Sequence, residues 1–183
     1  MRRSPVLLVL LFAYPFLIYV LLSQFGLAPA AVALIAISAI RLLTRRQSKI
    51  TAQDLAVGGG GVALGVTALT FRTDSAVLLY PVVVNFGLLA VFAASLLQPP
   101  SFVERIARLR HELNADGVRY TRKVTFVWCV FFLANGSIAL WTALFASIEV
   151  WTLYNGLLSY LMMGVLFLGE ILVRRRFIRM GAS

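Results

Sequence analysis

Among 183 residues there is one cysteine, Cys129, and one histidine, His111. A lone cysteine excludes a disulfide framework and a cysteine-built metal site, and its place inside an apolar run marks it as a packing residue. Charge is scarce as well: 13% of the residues are charged and only seven are acidic. With 61% hydrophobic residues, the chain carries more apolar surface than one soluble domain of this length can bury. Hydrophobicity this high excludes intrinsic disorder, and the glycines have no collagen-like period. The net charge of +10 raises the question of nucleic acid, which would require Lys and Arg gathered on one soluble face. They fall instead in clusters between apolar runs, the pattern of membrane topology, so no nucleic-acid partner is implied.

What is present is a series of six apolar segments, about 6–22, 27–43, 55–71, 76–97, 124–146 and 150–173, within a single polytopic membrane domain covering 1–183. A helix crossing the hydrocarbon core needs roughly 20 residues, with about 17 as the lower limit, so the second and third segments are short for full spans. They could instead form a re-entrant or shallow pair. The start, Met1-Arg2-Arg3-Ser4, resembles that of a signal peptide, but the apolar run from Val6 to about Phe25 is too long for a typical h-region. Despite the small residues Ala28-Pro29-Ala30, an uncleaved first helix is expected.

The basic residues give an independent topology. Arg2 and Arg3 precede the first segment; Arg41, Arg45, Arg46 and Lys49 surround the second connection. Arg105, Arg108, Arg110, Arg119, Arg122 and Lys123 lie in the fourth connection, and Arg174, Arg175, Arg176 and Arg179 in the tail. Sixteen of the 17 basic residues thus fall on one side, leaving Arg72 beside Asp74 on the other. Because cytoplasmic loops attract Lys and Arg, this predicts an all-α protein of six transmembrane helices with both termini cytoplasmic. The outer connections Ser23 to Gly26, Arg72 to Ser75 and Ser147 to Glu149 are so short that the helices should pair as three hairpins.

The polar stretch 98–123 is predicted to hold one interfacial amphipathic helix between spans 4 and 5. Pro99-Pro100 ends the fourth segment, and Ser101 with Glu104 has the spacing of a capping box, so a helix should start at Phe102. Phe102, Val103, Ile106, Leu109 and Leu113 recur at helical spacing, with Gly117 placed to stop the helix. Arg105, Arg108 and Arg110 would meet anionic lipid headgroups or a partner while the apolar face sits in the acyl boundary. The same pattern suits a loop helix packed on its own bundle.

Polar side chains within a span are costly and each requires a reason. Asn85 and Asn135 are central in the fourth and fifth segments, and Asn155 lies in the outer part of the sixth. With Tyr80 and Tyr154, and near Trp141, Trp151 and Tyr160, they could line a shared intramembrane polar pocket. They could equally hold helices together by hydrogen bonds, with the aromatics as interface anchors. Glu170 is placed four residues before Arg174 for a boundary ion pair, with a proton-relay carboxylate as the other reading. His111 and Asp116 have the H-x4-D spacing of glycerolipid acyltransferases, but no glycine-rich phosphate motif follows, and five residues along a helix do not align the two side chains. Gly58-Gly59-Gly60-Gly61 lacks the Lys-Ser or Lys-Thr of a phosphate loop. Gly61 and Gly65 have the GxxxG spacing of close helix contacts, within one chain or in a homo-oligomer. No metal site, cofactor or catalytic residue is implied.

The run VTFVWCVFFLANGSIALWTALFASIEVWTLYNG, through Trp128, Phe131, Phe132, Gly136 and Trp151, resembles the bacterial intracellular septation protein A family. The preceding PPSFVERIARL is similar to that family's segment between spans, and the resemblance covers about 80–173. Tyr80-Pro81 and Tyr154-Asn155-Gly156 also resemble uncharacterised inner-membrane proteins encoded beside aryl-polyene or fatty-acid-type biosynthesis enzymes. The resemblance implies a multi-pass protein of a bacterial inner membrane, linked to envelope biogenesis and division and without a known reaction. Its expected partners are the lipid bilayer, anionic lipids and envelope or division proteins. A small transporter or flippase for a lipid-like or aryl-acyl product and a membrane-bound acyltransferase are the other expectations.

Overall fold

A computed structural model describes residues 5–44, 54–109 and 112–181. Arg2, Arg3, Arg45, Arg46, Lys49, Arg110 and His111 lie outside the described residues. Among the described residues the fold is all-helical, without strands. Helices α1 (Pro5–Phe25) and α2 (Leu27–Thr44) are joined at Gly26, whose φ of +82° is a left-handed conformation that suits glycine. A π-helical turn, Leu55–Gly59, leads into α3 (Gly60–Phe71), followed by α4 (Asp74–Leu78) and α5 (Tyr80–Leu97). Then come α6 (Phe102–Arg108), α7 (Ala115–Phe145) and α8 (Ile148–Leu153). A second π-helical turn, Tyr154–Leu158, passes into α9 (Ser159–Gly181).

Among the described residues three stretches are long and apolar enough to cross a membrane: Asp74–Leu97, Ala115–Phe145 and Ile148–Arg174. Tyr14–Phe25, Leu27–Leu43 and Val57–Phe71 are shorter apolar helices, matching the places of the first three segments in the sequence. The three short turns gather at one end of the bundle. Leu22 and Ser23 from the first hairpin, Asp74 and Leu78 from the second and Ile148 from the third line one hollow there. At the opposite end the Tyr120 hydroxyl of α7 donates to the Glu170 carbonyl of α9 at 3.3 Å.

Helices α2 and α3 approach closely because the facing positions have no side chain. A Cβ at Gly61 would stand 2.1 Å from Ser38 Oγ, and one at Gly65 would stand 2.5 Å from Ile35 Cγ1 and 3.1 Å from the Ala31 carbonyl oxygen. The GxxxG pair therefore serves a contact within the chain. Gly58 and Gly59 fall in the π-helical turn, so the dense glycine run changes helix type where its propensity is weakest.

The break between α4 and α5 is held from two other helices. Pro81 has no N–H to offer the Val77 carbonyl four residues back, and the Tyr14 hydroxyl of α1 donates to that oxygen at 2.8 Å. The indole N–H of the fully buried Trp151 in α8 donates to the adjacent Leu78 carbonyl at 3.0 Å. These contacts tie α1 and α8 to one apolar core that includes Ile18, Leu34, Val77 and Trp151. A second core holds Phe92, Cys129 and Phe132, with Phe102 stacked on Phe92 at 4.1 Å between ring centroids.

Helix α6 starts at Phe102 as its capping box predicts, with the Ser101 N–H donating to Glu104 Oε2 at 3.2 Å. It ends at Arg108, well before Gly117. Asn114 caps a new helix there, its Oδ1 accepting the Gly117 N–H at 2.8 Å, so Gly117 lies in a first turn and stops nothing. Helix α7 consequently runs for 31 residues. At 1.5 Å per residue that is about 46 Å, longer than a hydrocarbon core of roughly 30 Å, and its charged first turns extend past the apolar segment. Phe102 and Val103 of α6 pack on the bundle, whereas Ile106 and Leu109 are 53% and 84% exposed. The short helix is thus half docked on its own protein and half open.

Candidate functional site

The polar side chains of the three long apolar stretches form bonded chains inside the bundle. The Tyr154 hydroxyl donates to Asn135 Oδ1 at 2.8 Å, and Asn135 Nδ2 donates to Asn85 Oδ1 at 2.9 Å. Asn85 Nδ2 completes the series by donating to the Pro81 carbonyl one turn back, at 2.8 Å. One member comes from α5, one from α7 and one from the second π-helical turn, and all three are buried. Gly136 makes the meeting of α5 and α7 feasible: a Cβ there would stand 3.0 Å from Asn85 Cβ and 3.3 Å from the Phe86 ring.

Asn155 stands apart from this chain. Its Nδ2 donates to Thr142 Oγ1 at 3.2 Å and to the Trp151 carbonyl at 2.9 Å, while Thr142 itself donates to the Ala139 carbonyl at 2.9 Å. The Ser159 hydroxyl donates to the Asn155 carbonyl at 3.2 Å. Tyr154 and Asn155 are consecutive within a π-helical turn, and they serve two separate polar chains on α7, through Asn135 and through Thr142. Of the five residues that could share a pocket, the structure joins Asn85, Asn135 and Tyr154 and places Asn155 and Tyr80 elsewhere. In the joined group each amide or hydroxyl already has a protein partner, an arrangement suited to fixing helices in register and without a nucleophile or base.

Tyr80 belongs to another buried group. Its ring lies 4.8 Å from that of Tyr14, and Tyr80 Cε2 and Ser38 Oγ flank Gly61. Among the described residues the buried Tyr80 and Ser38 hydroxyls have no hydrogen bond of ordinary geometry. The Arg41 guanidinium stands close enough to the Tyr80 phenol to act on its charge, and Asp54, at the start of the third apolar segment, is only 2% exposed. Sequence reasoning treated Arg41 as a topological charge and passed over Asp54. The available signal was position: Arg41 falls within segment 27–43, and Asp54 directly precedes Leu55 at the edge of segment 55–71.

The basic end is more internally occupied than its sequence suggests. Arg105 Nε donates to the Pro100 carbonyl at 2.9 Å and its Nη2 reaches the Gln98 carbonyl at 3.5 Å, so this side chain covers the C-terminal end of α5. Arg108 pairs with Glu104 at 2.8 Å, and Arg119 pairs with Asp116 in the first turn of α7. The Glu170 carboxylate and Arg174 Nε lie 3.7 Å apart, with Glu170 largely covered and Arg174 half exposed. Among the described residues no three His, Cys, Asp or Glu side chains come together as metal ligands.

Comparison with protein families, curated proteins and solved structures finds no match to this chain.

Proposed function

We propose that this chain is a six-span protein of a bacterial inner membrane, with both termini in the cytoplasm, that supports cell-envelope biogenesis or septation without catalysing a reaction. In this reading the helix bundle is a fixed platform, and its basic cytoplasmic end recruits anionic lipid or an envelope or division protein. The observation that carries it is the direct bonding of Tyr154, Asn135 and Asn85 at 2.8 and 2.9 Å, because polar groups satisfied by one another fasten helices and leave no wetted path between them. The platform presents Ile106 of α6 and Leu109 just past its end beside the cationic residues of the cytoplasmic connection, a combination that suits an interface.

Crosslinking in native membranes, purification of the tagged chain and mass spectrometric identification of attached proteins and lipids tests this. Recurrent attachment of division or wall-synthesis proteins to α6 supports it; a recurring acyl or polyene product without such proteins contradicts it.

A second reading, a small transporter or flippase for a lipid-like or aryl-acyl product, is favoured by two separate observations: the buried Ser38 and Tyr80 hydroxyls with the half-buried Arg41 near Tyr80, and the buried Asp54. Ionisable residues enclosed among membrane helices commonly mark a substrate or proton route. Under that reading Asp54→Asn abolishes product export while the protein still accumulates in the membrane; unchanged export in that variant removes it.

A further inference from the structure

At the end of the bundle where the three short turns meet, a hollow of about 480 Å³ is lined by Leu27, Ala28, Leu69, Arg72 and Asp74. A smaller hollow of about 190 Å³ shares Asp74 and continues along Leu22, Ser23, Leu78 and Ile148. We propose that the larger hollow binds the headgroup of a zwitterionic aminophospholipid, with Arg72 on the phosphate and Asp74 on the ammonium.

The first argument is the charge arrangement. Arg72 and Asp74 border the same hollow, carry opposite charges and are both exposed, yet among the described residues neither makes an ion pair or a side-chain hydrogen bond. Two opposite charges left unpaired beside one hollow match a ligand that carries both signs. Leu27 and Ala28 are the first residues of α2, so the positive end of that helix adds to Arg72 on the phosphate side. A purely anionic headgroup would meet Asp74 unfavourably.

The second argument is backbone conformation. Among the described residues Arg72 is the non-glycine residue with positive φ, at φ 50° and ψ 46°, where it ends α3 by donating its N–H to the Ala68 carbonyl. Glycine is the usual occupant of such a position because a Cβ is disfavoured there. A long cationic side chain at this point indicates a use outside the turn itself.

The third argument is the surroundings. Leu27 and Leu69 supply apolar walls, and the adjacent helix ends Phe25 and Phe71 are 68% and 74% exposed. Aromatic rings at helix ends suit the level where acyl chains meet headgroups. The proposal rests on the six-span reading, which sets this end at the outer membrane boundary.

The test measures lipid retained by the purified full-length chain in detergent micelles doped with phosphatidylethanolamine, phosphatidylcholine or phosphatidylglycerol, read by native mass spectrometry. The proposal predicts at least a fivefold preference for phosphatidylethanolamine over phosphatidylglycerol. Arg72→Gly should lose at least tenfold of that binding while its thermal midpoint stays the same or rises, since glycine suits the left-handed turn. Asp74→Asn should bring the two lipids to equal retention. Free phosphoethanolamine at matched concentration should not displace the lipid. Equal retention of all three lipids by the natural chain, unchanged binding in Arg72→Gly, or displacement by free phosphoethanolamine would overturn the assignment. Micelle binding is independent of membrane orientation, so a wrong topology shows separately, as failure of a cysteine at Ser75 to be labelled from outside intact cells.

Discussion

The Tyr14 hydroxyl donates at 2.8 Å to the carbonyl oxygen of Val77, the acceptor that Pro81 cannot serve. A helix break in a membrane bundle is tolerated only where neighbours satisfy the freed backbone groups. Tyr14 and Trp151 do so from α1 and α8. Tyr14→Phe keeps the ring against Tyr80 and deletes only this bond. It should destabilise the protein by about 1–2 kcal/mol, the penalty for a buried carbonyl left unpaired, measured by denaturant titration in mild detergent. Pro81→Ala should offset much of that loss by restoring an N–H.

The polar chain across α5, α7 and the second π-helical turn predicts strong coupling. Asn135 receives from Tyr154 and donates to Asn85, so Asn135→Ala breaks both bonds at once. We expect a loss of about 1–3 kcal/mol for that variant. Tyr154→Phe and Asn85→Ala combined with it should add far less than their separate costs, because their partner is already gone. Full additivity in such a cycle would show that these residues act independently.

Glycines of the same chain should differ sharply in tolerance. Gly65→Ala places a Cβ 2.5 Å from Ile35 Cγ1 and 3.1 Å from a backbone oxygen that cannot turn aside, so α2 and α3 must separate. A loss of about 1–3 kcal/mol is typical of such overpacking. Gly164→Ala and Gly169→Ala meet nothing within 4 Å and should be neutral or slightly stabilising through helix propensity. Thermal unfolding of the three variants side by side checks this contrast.

Local signals in the sequence carried much of the fold. Pro99-Pro100, Ser101 and Glu104 located the end of α5 and the start of α6, and Gly61 and Gly65 marked a close helix contact. Features that depend on tertiary geometry were not legible. Periodicity ran α6 on towards Gly117, while the Asn114 cap that starts α7 is a local hydrogen bond with no hydropathy signature. The three asparagines stood out as costly intramembrane groups, but which of them meet depends on how the second π-helical turn directs Tyr154 and Asn155 to separate partners. Asp54 was overlooked because a carboxylate at the edge of an apolar run reads as a solvated boundary residue until the packing shows it buried.

Cysteine accessibility in intact cells tests the closed, membrane-spanning bundle most directly. With Cys129 replaced by serine, single cysteines are introduced as Ser75→Cys at the short-turn end, Arg119→Cys at the basic end and Thr142→Cys in the buried polar chain. Each is exposed to a membrane-impermeant maleimide before and after permeabilisation. The predicted result is labelling of Ser75→Cys in intact cells, of Arg119→Cys only after permeabilisation, and of Thr142→Cys in neither state. Labelling of Thr142→Cys from either side would reveal water within the bundle and contradict the closed platform, and identical behaviour of Ser75→Cys and Arg119→Cys would contradict the spanning arrangement.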